Sequence, residues 1–276
     1  MLRRDFIRLS LACAIALAGC SSKRQIEVMY AGSLVREMEE LIIPEFERRY
    51  GYGVSSEARG SVAIVEMVKD GLRRPDVVIS ADYTLLNELA PKFLDRYYIF
   101  ASNSLVVAGK RGVPENWIDA ILSGEVSAGM SDPAVDPLGY RTLLMFRLAE
   151  KYYGESFYDE LVSKVKVFAL ETDLSANLSA GTVDIGFLYR NMAVNHGLNF
   201  LELPEEIDLS NPDFESLYST VSVRVGERVY RGKAIAYGIA GLKGMRGKEF
   251  VDFVLSDGLP LLRKSGLKTF VREVRA

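Results

Sequence analysis

Two glycine-serine pairs stand where an apolar, strand-like segment meets the pattern of an amphipathic helix. The first pair is Gly32-Ser33 and the second is Gly60-Ser61. A serine in this position offers three roles: a nucleophile, a cap for the helix N-terminus, or a hydrogen-bond donor to a ligand. A nucleophile needs a general base and an oxyanion hole, whereas this sequence has no G-x-S-x-G motif and a single histidine, His196. These absences argue against a serine hydrolase.

Capping and ligand binding are compatible roles for the two serines. A serine at a helix start satisfies a free backbone N–H group and stabilises the helix by about 1 kcal/mol. Because the pattern occurs at both Ser33 and Ser61, we expect two helix N-termini side by side. Their free N–H groups and positive dipole ends favour an anion. The sequence therefore predicts an anion site built from neutral hydroxyl and amide donors.

The segments around these serines repeat one strand-turn-helix plan three times. The first unit starts with the strand-like run 26–33, and the second turns into a helix that ends near Lys69. In the third unit a Val-Val-Ile strand runs into Ser80. Such units predict a parallel α/β sheet, in which ligands bind beyond the carboxyl ends of the strands. The first helix is expected to begin with Ser33 as its cap and to bury its apolar positions, which are Leu34, Met38, Leu41, Ile42 and Phe46.

The rest of the chain continues the alternation of strands and helices. We expect a helix near 117–122, a Pro/Asp/Gly loop followed by a helix after Asp136, and a strand at "VDIGFLY". The alternating pattern near "LYSTVSVRVG" predicts an extended segment. The C-terminal "KEFVDFVLSDGLPLLRKSGL" predicts two helices separated by a break at Asp-Gly.

Composition favours a folded domain and argues against a nucleic-acid partner. The chain has 276 residues, of which 49% are hydrophobic, enough for a substantial core. The formal net charge is -3, and no long basic block is present, so nucleic acid is not the expected partner.

The first twenty residues have the features of an export signal. Arg3, Arg4 and Arg8 precede an apolar run that is too short to span a bilayer. The run ends in "LAGC", which resembles a lipobox and makes Cys20 the expected lipidated first residue of the mature chain. "RRDF" loosely resembles a twin-arginine signal. The alternative is a short membrane anchor that is not cleaved, and both readings place the remainder outside the cytoplasm.

Several motifs together resemble one family, the binding proteins of molybdate/tungstate ABC transporters in their archaeal-type branch. They are "AGSL" (31–34), "EARGSV" (57–62), "DVVISADY" (76–83), "DPLGYR" (136–141) and "VDIGFLYRNMAVNHGLNFLELPEEIDL" (183–209). The terminal "FVDFVLSDGLPLL" also fits. The resemblance covers nearly all of the chain after its signal region, in the expected order.

The resemblance implies an α/β, type II periplasmic-binding-protein fold, with two α/β lobes and a ligand cleft between them. Lobe 1 would comprise residues 26–101 and 219–276, and lobe 2 residues 102–218. The implied oxoanion-binding residues are Ser33, Ser61, Asp136, Leu138, Thr172 and Tyr189. Read from the residues alone, Asp136 is equally compatible with a turn and Tyr189 with packing of the cleft wall.

The resemblance also implies two carboxylates that approach the metal of the oxoanion and raise its coordination number from four to six. Asp136 is expected to be the first. The position that we align with the second is Leu188. One additional ligand is then missing, and the coordination stays tetrahedral, unless Glu171, Asp173 or Glu202 replaces it.

The expected protein is a lipoprotein receptor that captures molybdate or tungstate and delivers it to a membrane permease. It would be a monomer, without cofactor and without enzymatic activity. One alternative is a receptor for another tetrahedral oxoanion, such as sulfate or phosphate. Others are an extracytoplasmic hydrolase or lyase that uses Ser33 or Asp136, and a sensory domain that signals without transport.

Overall fold

Two mixed β-sheets flanked by helices organise residues 24–275, the part of the chain that the computed structural model describes. The predicted signal segment and Cys20 lie outside these residues. The strands are β1 (Gln25–Ala31), β2 (Gly53–Arg59), β3 (Val77–Ser80), β4 (Arg96–Ser102), β5 (Leu105–Gly109), β6 (Ala128–Ser131), β7 (Lys166–Phe168), β8 (Ile185–Tyr189), β9 (Asn199–Glu202), β10 (Ser222–Val225), β11 (Arg228–Arg231), β12 (Ala236–Gly241) and β13 (Lys268–Arg275).

Ten α-helical segments are present in the described part of the chain. They are α1 (Ile43–Tyr50), α2 (Ser61–Lys69), α3 (Trp117–Leu122), α4 (Pro137–Tyr153), α5 (Tyr158–Lys164), α6 (Glu171–Ala180), α7 (Arg190–Asn195), α8 (Glu215–Tyr218), α9 (Lys248–Phe253) and α10 (Leu259–Lys264). Short 3₁₀ segments lie at Gly32–Leu34, Tyr83–Leu89 and Pro212–Phe214, and π-helical segments at Glu37–Ile42 and Val254–Gly258.

The two sheets share one topology. The first has the strand order β13-β4-β12-β3-β1-β2 and the second β7-β6-β8-β5-β9. In each sheet three parallel strands are followed by an antiparallel strand from a distant part of the chain, which is β12 in the first and β5 in the second. The chain crosses between the sheets after β4 and again before β12. The predicted two-lobed α/β fold is confirmed.

The first helix is built as the sequence predicts on its buried face but not at its start. Leu34, Met38, Ile42 and Phe46 are all buried against the first sheet, and full burial of such side chains contributes about 1.5–3 kcal/mol each. Leu41, which was also predicted to be buried, is only half-buried. The helical backbone starts at Gly32 with a 3₁₀ turn and widens into the π-helical segment before α1. This packing fixes the turn that carries Ser33 at the carboxyl end of β1.

Two predictions about helix ends are wrong. The cap residue of the 3₁₀ segment Gly32–Leu34 is Ala31, and that of α2 is Gly60; both have extended backbone. Neither Ser33 nor Ser61 makes a side-chain cap hydrogen bond. Nor does the Asp257-Gly258 pair break the C-terminal helix, since the backbone stays helical through it by adopting the π-helical segment.

The β10–β11 hairpin forms a separate two-stranded sheet between the two crossings. It packs on α4, where the rings of Tyr140 and Tyr230 stack with centroids 4.0 Å apart. The lobe limits given above, 26–101 with 219–276 and 102–218, stay a prediction. Within residues 24–275, no helix combines the length and apolar character needed to cross a membrane.

Candidate functional site

A cavity of about 540 Å³ lies where the two sheets face each other. The first sheet contributes the turn after β1, Ala81 after β3 and Tyr237 in β12, and the crossings contribute Asn103 and Ile235. The second sheet contributes the start of α4, the start of α6 and the end of β8 with α7. The lining residues from this second side are Asp136, Pro137, Tyr140, Arg141, Glu171, Tyr189, Asn191, Met192 and Asn195.

Ser33 lies on the cavity wall with an exposed side chain. Its hydroxyl does not cap the helix that follows and lies beside Tyr237, another lining residue. Burial raises the pKa of Tyr237, and a side-chain hydrogen bond with Ser33 lowers it in part. Ser61 is not on the wall but supports it, since its hydroxyl accepts a hydrogen bond of 2.9 Å from the backbone N–H of Ala81. The structure therefore links the two serines through Ala81, with only Ser33 facing the cavity.

Asp136 joins the N-termini of two helices at the cavity. Its Oδ1 accepts a hydrogen bond of 2.9 Å from the backbone N–H of Leu138 in α4, and its Oδ2 accepts one of 2.7 Å from the N–H of Glu171 in α6. The negative charge also lies at the positive dipole ends of both helices. Asp136 is therefore a shared cap that holds the two helix starts together and is itself part of the cavity wall.

Leu138 and Thr172 do not lie on the cavity wall. Leu138 is fully buried, and its backbone N–H is the one bonded to Asp136. Thr172 is an exposed residue in the first turn of α6. Their contribution to oxoanion binding stays a prediction.

Glu171 places a second carboxyl group on the cavity wall beside Asp136. Its Oε1 is buried and has no hydrogen-bond partner among residues 24–275. Burial and the adjacent charge of Asp136 raise the pKa of Glu171 to about 8, although the backbone N–H of Tyr189 and the Arg141 charge lower it in part. A carboxyl group in this state takes up a proton or binds a cationic centre.

The other residues considered for the second carboxylate have different roles. Asp173 is exposed and accepts a hydrogen bond from the N–H of Leu170, and Glu202 forms an ion pair of 2.7 Å with Arg190. Leu188 is fully buried in β8 and does not line the cavity. Successive residues of a strand point to opposite faces, so a residue next to Tyr189 in β8 cannot share its face. Of the three replacements, only Glu171 lies on the cavity.

Tyr189 lies at the end of β8 with its hydroxyl bonded to Arg141, whose Nη1 donates a hydrogen bond of 2.5 Å. The guanidinium carbon of Arg141 also lies 5.6 Å from the centre of the Tyr189 ring and 5.8 Å from that of Tyr140. Burial raises the pKa of Tyr189 above its ordinary value although the Arg141 charge lowers it. The phenol therefore keeps its proton at neutral pH.

A chain of buried amides connects the two sides of the cavity. The side-chain amide of Asn103 donates to the Oδ1 of Asn191 over 2.9 Å, and that of Asn191 donates to Glu37 over 3.1 Å. Glu37 follows β1 in the first sheet, whereas Asn191 follows β8 in the second. These hydrogen bonds link the first sheet to the second at the cavity wall, which includes all three residues.

The structure thus brings together Ser33, Asp136 and Tyr189 among the residues singled out from sequence. Sequence reasoning missed Arg141, which lines the cavity together with Arg36, although Arg141 closes the quoted motif "DPLGYR". It also missed the amides of Asn103 and Asn191. No spacing signal points to them, because they meet only after the two sheets pack.

The family profile described as bacterial extracellular solute-binding protein matches residues 26–268. The chain belongs to this family. It is a family of solute-binding proteins and not of enzymes. Because its members are extracellular, the solute-binding protein described here is extracytoplasmic.

Relatives of this solute-binding protein have names that agree with the family. The Molybdate/tungstate-binding protein WtpA of Thermococcus kodakarensis is 30% identical, with 90% of this chain and 85% of that protein covered. A putative ABC transporter molybdenum-binding protein of Haloferax volcanii is 39% identical, covering 80% of this chain and 75% of that protein.

Among solved structures, the substrate-binding domain of a putative molybdenum ABC transporter from Clostridium difficile superposes with a TM-score of 0.68. The match covers 90% of this chain and all of that one at 17% sequence identity. At this identity the similarity shows the fold, with its two lobes, and the ligand has to be argued from the site.

Proposed function

We propose that this solute-binding protein captures molybdate or tungstate outside the cytoplasm and delivers it to an ABC permease. The names of its relatives support the ligand class, and the contents of the cavity support it independently. Capture requires only that the ligand binds and that the lobes close around it. A ligand that prefers the closed conformation increases the fraction of closed molecules, which the permease can sense.

The observation that carries the proposal is the pair of carboxyl groups, Asp136 and Glu171, beside the hydroxyls of Ser33 and Tyr189. Hydroxyl donors suit the oxygen atoms of any tetrahedral oxoanion. Carboxylates repel such an anion unless they are protonated or bind its central atom. A hexavalent molybdenum or tungsten centre can accept additional oxygen ligands, whereas the sulfur of sulfate cannot. The pair therefore favours molybdate or tungstate, with Asp136 and Glu171 as the groups that approach the metal.

Thermal unfolding in the presence of matched concentrations of tungstate, molybdate, sulfate and phosphate tests this proposal. A ligand at about 100 times its dissociation constant adds about 2.7 kcal/mol to the free energy of unfolding. We expect a large rise in melting temperature with tungstate and molybdate and none with sulfate. Equal stabilisation by sulfate or phosphate would instead assign the protein to the general class of tetrahedral oxoanion receptors.

Substitution of the carboxyl pair separates metal-directed binding from general anion binding. If the carboxyl groups bind the metal, Glu171→Gln weakens tungstate binding measured by calorimetry. If they only repel anions, the same variant binds tungstate more tightly and gains affinity for sulfate, which would contradict the proposed role of Glu171.

We also propose that the protein binds its ligand without turnover. His196, the single histidine, is exposed and does not line the cavity with Ser33, so no histidine that could serve as the base of a serine hydrolase lies among the described lining residues. A hydrolase substrate screen on the purified protein should show no product.

The export and anchoring predictions complete the proposal. Cys20 would carry the lipid that holds the receptor at the membrane surface, and the exported chain would act as a monomer. Mass spectrometry of the protein extracted from membranes should find a diacylglycerol-modified Cys20, and Cys20→Ala should release the protein from the membrane fraction. Light scattering of the released form should give the mass of one chain.

A further inference from the structure

Arg141 is a largely buried cation of the cavity wall, which also includes the exposed Arg36, and its surroundings differ from those of Arg147, the other arginine of its helix. The side chain is largely buried, lines the cavity, and lies between the rings of Tyr140 and Tyr189. Among residues 24–275, no carboxylate lies within ion-pairing distance of Arg141, although Arg147 in the same helix pairs with Glu150 over 2.9 Å. Arg141 therefore has no direct ion-pair partner among the described residues, although its charge acts at longer range on Glu171.

The hydrogen bond between Arg141 and Tyr189 determines whether the Tyr189 hydroxyl donates or accepts a hydrogen bond. A guanidinium group has only donors, whereas a phenol has one donor and can also accept. Because Arg141 donates to the Tyr189 oxygen, the phenol is the acceptor in this bond, and its own O–H proton is left for another partner. The cavity is the open side of Tyr189, so that partner is the ligand.

We infer that Arg141 is a positioning residue for oxoanion binding, which orients the Tyr189 hydroxyl so that it donates its proton to a ligand oxygen. The inference rests on the proposed function of the cavity and adds a residue that neither the sequence motifs nor the relatives' names assign. Arg141 acts through the phenol and polarises it, since hydrogen bonds in a chain with a charged donor strengthen one another.

This arrangement has a consequence for selectivity. A hydroxyl that is forced to donate requires an acceptor oxygen on the ligand, so a fully deprotonated oxoanion is favoured over one that presents an O–H group at that point.

A double-mutant cycle on the full exported chain tests the inference, with sodium tungstate as the probe and calorimetry as the measurement. The variants are Arg141→Met, Tyr189→Phe and the double variant. We expect Arg141→Met to weaken tungstate binding by about 10–100-fold, the range of a hydrogen bond to a charged group. In the Tyr189→Phe background the same change should weaken binding by less than about threefold, because the group through which Arg141 acts is gone.

Arg147→Met provides the matched control, because it removes the same side chain from the same helix at a site that packs on Tyr158, 3.4 Å from its ring centre, away from the cavity. It should leave tungstate affinity unchanged. If Arg141→Met does not fold, Arg141→Gln takes its place in the cycle.

The outcomes separate the inference from the proposed function. If the wild-type protein binds no oxoanion, the proposed function is wrong. If it binds tungstate but the Arg141 and Tyr189 effects simply add, or if Arg141→Met binds as tightly as the wild type, the function stands and the positioning role is overturned.

Discussion

Asp136 illustrates how a single residue serves both the fold and the site. Its two oxygens cap two different helices, through the N–H groups of Leu138 and Glu171. Each lost cap costs about 1 kcal/mol, so Asp136→Ala should lower the free energy of unfolding of the ligand-free protein by about 2 kcal/mol. Urea unfolding measures this change.

Asp132 in the same loop is the control for Asp136. It accepts a side-chain hydrogen bond only from the N–H of Ala134, over 2.8 Å, and does not line the cavity. Asp132→Ala should cost at most about 1 kcal/mol and leave tungstate affinity unchanged. Equal losses of stability in the two variants would contradict the shared-cap role of Asp136.

Glu171 makes the stability of the ligand-free protein depend on pH. Its pKa is about 8 in the folded protein against an ordinary value of 4.5, so between these values the folded state holds a proton that the unfolded state has released. Stability is therefore full below pH 4.5 and is lost as the pH rises through about 8, with a slope of up to about 1.4 kcal/mol per pH unit. Denaturant unfolding at pH 5, 6, 7 and 8 measures the slope.

Glu171→Gln serves as the comparison, because glutamine has the same shape and cannot ionise. The variant should lose this part of the pH dependence and become more stable than the wild type at pH 8. Parallel stability profiles for the two proteins would show that Glu171 titrates normally in the folded state.

At the residue level, three of the predicted binding residues lie on the cavity wall, whereas packing decides the surroundings of the others. Ser33, Asp136 and Tyr189 were predicted to face the ligand, and all three line the cavity. Leu188, the position aligned with the second carboxylate, is buried and off the cavity wall, because the two-residue period of a strand sends Leu188 and Tyr189 to opposite faces. Glu171 was one of three replacements, and only its burial beside Asp136 selects it.

At the level of elements, the loop between β6 and α4 has little room for change. A Cβ atom on Gly139 would lie 2.5 Å from the backbone O of Ser131 and 2.5 Å from the N of Pro133. Gly139→Ala should therefore displace the loop and the Asp136 cap with it, at a cost of about 1–3 kcal/mol and with weaker tungstate binding. Urea unfolding and calorimetry measure the two effects.

Gly53→Ala is the control for this loop. Gly53 begins β2, and a Cβ atom there would meet no heavy atom within 4 Å, so the free energy of unfolding should change little. A Gly139→Ala variant that is as stable as Gly53→Ala would show that the loop can relax without cost.

The elements themselves were largely predictable, while their ends and irregularities were not. The three strand-turn-helix units and the helix at Trp117–Leu122 follow from apolar periodicity, and the structure contains them. The spacing of apolar residues cannot distinguish a regular α-helix from a helix that contains a π-helical segment, since both bury one face of apolar side chains. The pairing of β13 with β4 joins residues far apart in sequence and leaves no local signal.

For the whole molecule, contacts between the two sheets determine how easily the cavity opens. The hydrogen bond from Asn191 to buried Glu37 crosses from one side to the other, and no sequence pattern predicts such a pair. Asn191→Ala leaves the Glu37 carboxylate without this donor, so the arrangement in which the sheets approach each other loses stability. The fraction of molecules ready to bind falls, and the apparent dissociation constant rises in proportion.

We therefore expect Asn191→Ala to bind tungstate about tenfold more weakly, which corresponds to about 1.4 kcal/mol of binding free energy. Without ligand, the variant should also have a larger radius of gyration in small-angle scattering. Saturating tungstate should return the radius to the wild-type value, because the ligand restores the missing link between the sheets. Asn199→Ala is the control, since the Asn199 amide bonds to the backbone of Lys110 within the second sheet. An Asn191→Ala variant with wild-type radius and weakened binding would place Asn191 in contact with the ligand and not in control of the opening.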